Sequence, residues 1–127
     1  MLITRKDKAI EPFESPSGEL IYEMIGRPKH LGDTIKHSLG YVVIPPGCSS
    51  ALHYHPEAEE TYYILKGNAK ILINGKEHHL SAGDAVLINP PEHHQIFTKG
   101  QRDLEFIVVC APAWEPNNSV YPDEDKE

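Results

Sequence analysis

Apolar residues along the chain fall into short segments that stop at Gly, Pro or Asn about every eight to twelve residues. That rhythm belongs to an all-β sandwich or barrel. It predicts strands over Leu20–Ile25, His37–Ile44, Ala51–His55, Thr61–Lys66, Ala69–Ile73, Lys76–Leu80, Ala85–Ile88, His93–Thr98 and Leu104–Cys110. Pro45-Pro46-Gly47 and Asn89-Pro90-Pro91 end strands because proline has no N–H to give a ladder. Asn74-Gly75 is the strongest hairpin signal, since a type I′ turn needs positive φ at both central residues. Thr61–Lys66 is rich in β-branched and aromatic residues, which suit a pleated, half-buried surface. No segment sustains a helical period, and a turn within Pro56–Glu59 is the one helix candidate.

The 127 residues suit one domain over 1–127, with a core at about 36–110, an N-terminal strand region at 1–35 and a tail at 115–127. Twelve Lys and Arg against nineteen Asp and Glu leave a net charge of −7. That balance is a poor match to a phosphate backbone, so nucleic acid is not an expected partner. The acidic end, residues 123–127, reads as solvated, and Pro116 and Pro122 point to partial disorder in the tail. Met1–Ile10 lacks the apolar stretch of a signal peptide, and no apolar run approaches ~18 residues, so no membrane span is expected. Cys48 and Cys110 stand apart, with no C-x-x-C between them, which fits a reducing, cytoplasmic setting.

The histidines carry the candidate chemistry. His53 and His55 are two apart on a strand and leave the same face. Glu60 begins the next strand, and His93 and His94 lie on a later one. Three imidazoles and one carboxylate converging inside a barrel suit a borderline divalent metal and leave positions open for water or substrate. Alternation does not choose between His93 and His94, because each shares its face with one apolar side chain, Phe97 or Ile96. His78 and His79 flank a hairpin among Lys76 and Glu77 and read as solvated, and His30 and His37 belong to the N-terminal region with no functional role assigned. Glu59 is the substitute for Glu60.

The stretch Gly47-(5)-His53-x-His55-(4)-Glu60-(6)-Gly67 resembles the first cupin motif, matching its Gly, both His, Glu and closing Gly. Gly83-(5)-Asn89-x-Pro91-(2)-His94-(3)-Thr98 resembles the second, with Gly and His in place. Asn89, Pro91 and Thr98 stand where the family has Pro, Gly and Asn; these departures concern a turn and a strand end, not the metal ligand. The resemblance implies a single-domain jelly-roll β-barrel of antiparallel strands. It implies His53, His55, Glu60 and His94 as ligands of one divalent transition metal ion, Mn, Fe, Co, Ni, Cu or Zn. It also implies a small-molecule partner and a homodimer, to which Leu20–Ile25 is available as a strand to add to a neighbour's sheet.

The activity so implied is that of a metal-dependent enzyme acting on a small oxygen-rich metabolite: a dioxygenase, isomerase or decarboxylase. The alternative is a cupin that binds a ligand without turning it over. Two weak catalytic candidates accompany the metal set. Glu60 is the motif carboxylate, and Tyr62 shares its face, able to aim a hydroxyl at the pocket or simply to pack in the wall. Cys48 reads as a bystander, Cys110 as a small core residue, and Trp114 as a cap on the barrel mouth or a dimer seam.

Overall fold

The computed structural model describes residues 1–122; the acidic end read as solvated, 123–127, lies outside them. Among the described residues there are nine strands: β1 Phe13–Glu14, β2 Leu20–Ile25, β3 Ser38–Ile44, β4 Glu59–Lys66, β5 Asn68–Ile73, β6 Lys76–Ser81, β7 Ala85–Ile88, β8 His94–Lys99 and β9 Leu104–Ala111. They form two antiparallel sheets, one ordered β1-β2-β3-β9-β4-β7 and one ordered β6-β5-β8. The two sheets are not joined into a closed hydrogen-bonded barrel; they make the two faces of a jelly roll, with the core between them.

Alternation places the core. Along β3, Ser38, Gly40, Val42 and Ile44 are buried, while Leu39, Tyr41 and Val43 are half-buried on the outer side. The registers carry the inner row across the sheet: Val42 faces Phe106, which faces Ile64. Ile71 and Ile96 meet them from the second sheet, and Ile44, Ile64, Ile96 and Leu104 are wholly buried. The hairpin forms as the sequence requires, with φ of 50° at Asn74 and 80° at Gly75.

Three expectations are corrected. Ala51–His55 is not a regular strand. Ser49 pairs with Phe97 and His53 with His94, so four steps on one chain run against three on β8, leaving one residue extra, as in a β-bulge. The Ser50 hydroxyl accepts the Ile96 N–H at 3.0 Å in place of a backbone carbonyl. Residues 56–59 are not helical, bending at Pro56 and Glu57 and entering β4 at Glu59; the one short α-helix among the described residues, Lys6–Ala9, lies elsewhere, its Lys6 Nζ 4.5 Å above the Tyr22 ring and 4.9 Å above Tyr41. Leu20–Ile25 is not free, since it pairs along its length with β3 and at Leu20 and Ile21 with β1.

No helix among the described residues is long and apolar enough to cross a membrane.

Candidate metal centre

Each element delivers its side chain for a local reason. Glu60 sits second on β4, on the buried face with Tyr62 and Ile64, and opposes Cys110 on one side and Ile88 on the other. His94 opens β8 on the same face as Ile96 and is fully buried, at 0% exposure. The bulge before β4 brings His53 beside His94 through a pair of backbone hydrogen bonds, 3.1 and 2.8 Å. His55 follows two residues later and is buried.

The structure brings His53, His55, Glu60 and His94 together, with one ligand atom from each within 4.8 Å of all the others. The ring centroids lie 4.2 Å apart for His53–His94, 5.1 Å for His53–His55 and 5.6 Å for His55–His94. His53 is the half-buried member, so the cluster is reached from its side. His93 points elsewhere, stacked on Tyr54 at 4.3 Å, and Glu59 is exposed. His78 and His79 are exposed, as expected. Two open depressions of about 410 and 550 Å³ lie at the far ends of the strands, beside Lys99 and Lys66, and include none of the four.

All three rings are held the same way. Nδ1 of His53 meets the Ala51 carbonyl at 2.9 Å, that of His55 the Asn118 carbonyl at 2.8 Å, and that of His94 the Glu92 carbonyl at 3.0 Å. A carbonyl only accepts, so each Nδ1 carries a proton and each Nε2 is the nitrogen left to bind a cation. Glu60 Oε1 lies 3.0 Å from Nε2 of His94, and Oε2 lies 3.3 Å from Nε2 of His55. The second contact lacks hydrogen-bond geometry, leaving His55 Nε2 a buried nitrogen without a hydrogen-bond partner. A compact set of three nitrogens and one carboxylate, with such an orphan at its centre, fits a divalent transition metal.

The electrostatics follow from burial and from these contacts. Burial pushes His53 down to about 4, helped by His94 beside it. Burial would lower His55 as well, but its contacts with Glu60 outweigh that and raise it. Burial works to raise Glu60, and the two histidines hold it lowered, so it stays ionised. Tyr62 is packed on Phe106 at 4.7 Å and edge-on to His94 at 6.1 Å. Burial, reinforced by the Glu60 charge, keeps its hydroxyl protonated. Cys110 is likewise pushed up to about 12, first by burial and then by Glu60, and serves as an inert core thiol.

One carboxylate escaped the sequence reading. Glu19 lies just before β2, two residues from Ile21, which packs on the core; a period of two puts both on the inner face. It is half-buried, and burial together with the charge of Glu60 pushes it up to about 7. Glu19 and Glu23 flank Leu20-Ile21-Tyr22 and share the face of Ile21, which was the available signal, but that spacing reads equally as an outward acidic face.

The cupin domain model matches residues 40–110, and the chain belongs to the cupin family. An uncharacterized protein of Methanocaldococcus jannaschii is 30% identical over 111 residues, 87% of this chain and 86% of that protein. The oxalate-binding protein of Thermotoga maritima is 42% identical over 66 residues, 52% of this chain and 54% of that one. Among solved structures, the oxalate decarboxylase of Lactobacillus farciminis in its formate complex superposes with a TM-score of 0.77 at 25% identity, over 91% of this chain but 34% of its own. A Thermotoga maritima protein described as a predicted oxalate decarboxylase gives 0.76 at 27% identity, over 88% of this chain and 99% of its own.

Proposed function

We propose that His53, His55, Glu60 and His94 hold one divalent transition metal ion, and that the protein is a metal-dependent enzyme acting on a small oxygen-rich metabolite. The observation that carries this reading is the common hold on the three rings, with every Nδ1 on a backbone carbonyl, the Nε2 atoms gathered with one ionised carboxylate, and His55 Nε2 buried without a hydrogen-bond partner. A metal ion so bound polarises a carbonyl or acidifies a bound water. The protein supplies the rest. Glu60, held ionised between two histidines, serves as a ligand and not as a base. Glu19, whose carboxyl is pushed up to about 7, would hold a proton on its own carboxyl and pass it to an oxygen of the bound metabolite, itself becoming the carboxylate. Tyr62 offers a hydrogen-bond donor from the wall.

The substrate class is a molecule with adjacent oxygens that chelates the ion. The relatives named for oxalate make that dianion the first compound to try. The oxalate-binding relative also favours the second reading, a cupin that binds its ligand without turnover. We further place the protein in a reducing compartment, the cytoplasm, on the strength of its two free thiols. We read it as a homodimer through the outer face of the larger sheet, where Tyr63 and Leu87 are 45% and 55% exposed on neighbouring strands. A light-scattering mass of 14.3 kDa would overturn the dimer.

The test is metal content per chain, measured by plasma mass spectrometry on protein purified without chelators, beside His53→Ala and His94→Ala. A stoichiometric transition metal that drops in both variants supports the site. Turnover of oxalate, 2-oxoacids, diketones, catechols or ketoses that a chelator abolishes supports the enzyme, and tight binding without turnover supports the second reading. Absence of metal after incubation with Mn, Fe, Ni and Zn sinks the proposal.

A further inference from the structure

The family match ends at residue 110, yet residues well past it touch the site. Tyr54 and Val120 exchange two backbone hydrogen bonds, 3.0 and 2.9 Å. The Asn118 carbonyl accepts from Nδ1 of His55, the Ser119 hydroxyl lies 3.3 Å from the same nitrogen, and the Tyr121 ring stacks on His53 at 5.8 Å. Residues 115–122 of the tail, where partial disorder was expected, form a strap folded over two of the four candidate ligands.

The strap is anchored away from them. Arg27 donates to the Ala113 carbonyl at 3.0 Å and pairs with Glu115 at 2.9 Å, and the Trp114 N–H donates to the buried Ser38 hydroxyl. Asn118 ties the turn internally, donating to the Ala113 carbonyl and accepting the Glu115 N–H. Trp114 closes it from outside through its indole N–H on Ser119.

The three rings differ in one respect. The carbonyls that hold His53 and His94 come from two residues earlier on the same chain segment, so the local turn supplies them. The carbonyl that holds His55 is 63 residues distant and arrives only when the strap docks. Without the strap, which supplies both this carbonyl and the Ser119 hydroxyl, the His55 ring loses the neighbours that keep its proton on Nδ1 and its Nε2 turned towards Glu60.

We infer that the C-terminal strap, through the Asn118 carbonyl, is a positioning element of the metal site, and that strap and metal ion each tighten the hold of the other. The inference rests on the metal reading above. Outer-shell partners of this kind typically change metal affinity by about 10–100-fold, and the coupling is reciprocal. The test compares Co(II) affinity and the visible Co(II) spectrum of the wild-type protein with Val120→Pro, which has no N–H for Tyr54, and with Asn118→Ala, which keeps the carbonyl but loses the two side-chain hydrogen bonds that hold it in place. Each variant leaves all four ligands in place.

The expected result is a loss of about 10–100-fold in Co(II) affinity with an altered band pattern, while the metal-free unfolding midpoint stays near that of the wild type. In the wild type, Co(II) should slow hydrogen exchange at the Tyr54 and Val120 amides, and this arm decides the matter if a variant does not fold. Wild-type Co(II) affinity in both variants, or exchange at those amides indifferent to Co(II), overturns the strap's role alone. A wild-type protein that takes no Co(II) overturns the metal reading and the strap's role together.

Discussion

Glu19 offers a test of the interior electrostatics that needs no substrate. Its ordinary value of 4.5 is pushed up to about 7, first by burial and then by the Glu60 charge. Each tenfold change in a protonation equilibrium is worth about 1.4 kcal/mol, so the full shift amounts to about 3 kcal/mol, and partial exposure reduces this to about 2–3 kcal/mol. The sign follows from proton counting. Below about pH 4.5 both folded and unfolded chains hold the proton, and the group is neutral to stability. Between about 4.5 and about 7 the unfolded chain has lost it while the folded one keeps it, so stability falls as pH rises through that window and levels off above it.

Glu19→Gln replaces the protonated acid by a neutral group of the same shape. Urea unfolding with a chelator present, followed by circular dichroism from pH 4 to pH 8, should give nearly equal stabilities for the two proteins at the acid end. At pH 8 the variant should be more stable by about 2–3 kcal/mol. All other titrating groups are common to both, so the difference curve isolates this one. Parallel curves, or a variant less stable than the wild type at pH 8, would refute the placement of Glu19 on the inner face.

Three further outcomes are expected. Co(II) affinity should rise with pH through the range in which the raised His55 loses its proton, because the ion must displace the proton that Glu60 stabilises there, whereas His53, pushed down to about 4, is already neutral; a flat profile by chelator competition contradicts this. Gly67→Ala should destabilise by at least about 2 kcal/mol in thermal melts, since φ is +86° and a Cβ would sit 2.5 Å from the Asp103 carbonyl, whereas Gly75→Ala, with φ +80° and open space, should lose only about 1 kcal/mol. Ile96→Ala, at a wholly buried position facing Ile71, should lower the unfolding free energy by about 3–4 kcal/mol in urea.

Local chemistry made much of this molecule legible. The Asn74-Gly75 turn, the proline stops after Ile44 and Ile88, and the β-rich run at Thr61–Lys66 are short-range matters of φ, missing donors and side-chain shape, so the sequence alone determined them. It also determined that His53, His55 and Glu60 lie close together along the chain at a recognisable spacing. It did not determine the inner face of β3 or β8, because both faces of those strands carry apolar residues and a period of two is then silent about direction.

Only tertiary contact could decide the rest. His94, named by the motif spacing but left open against His93 by alternation, turns inward because β8 pairs with β5 in a register that sets Ile96 against Ile71 in the core. The segment at Ala51–His55 departs from a regular strand because the Ser50 hydroxyl and one extra residue meet β8 there. Glu19 takes its high proton affinity from surroundings built by distant strands, and the strap at Asn118 reaches His55 across 63 residues. Such long-range contacts depend on the assembled sheets and leave no periodic trace in the chain, which is why turns and strand centres were readable in advance and the far wall of the site was not.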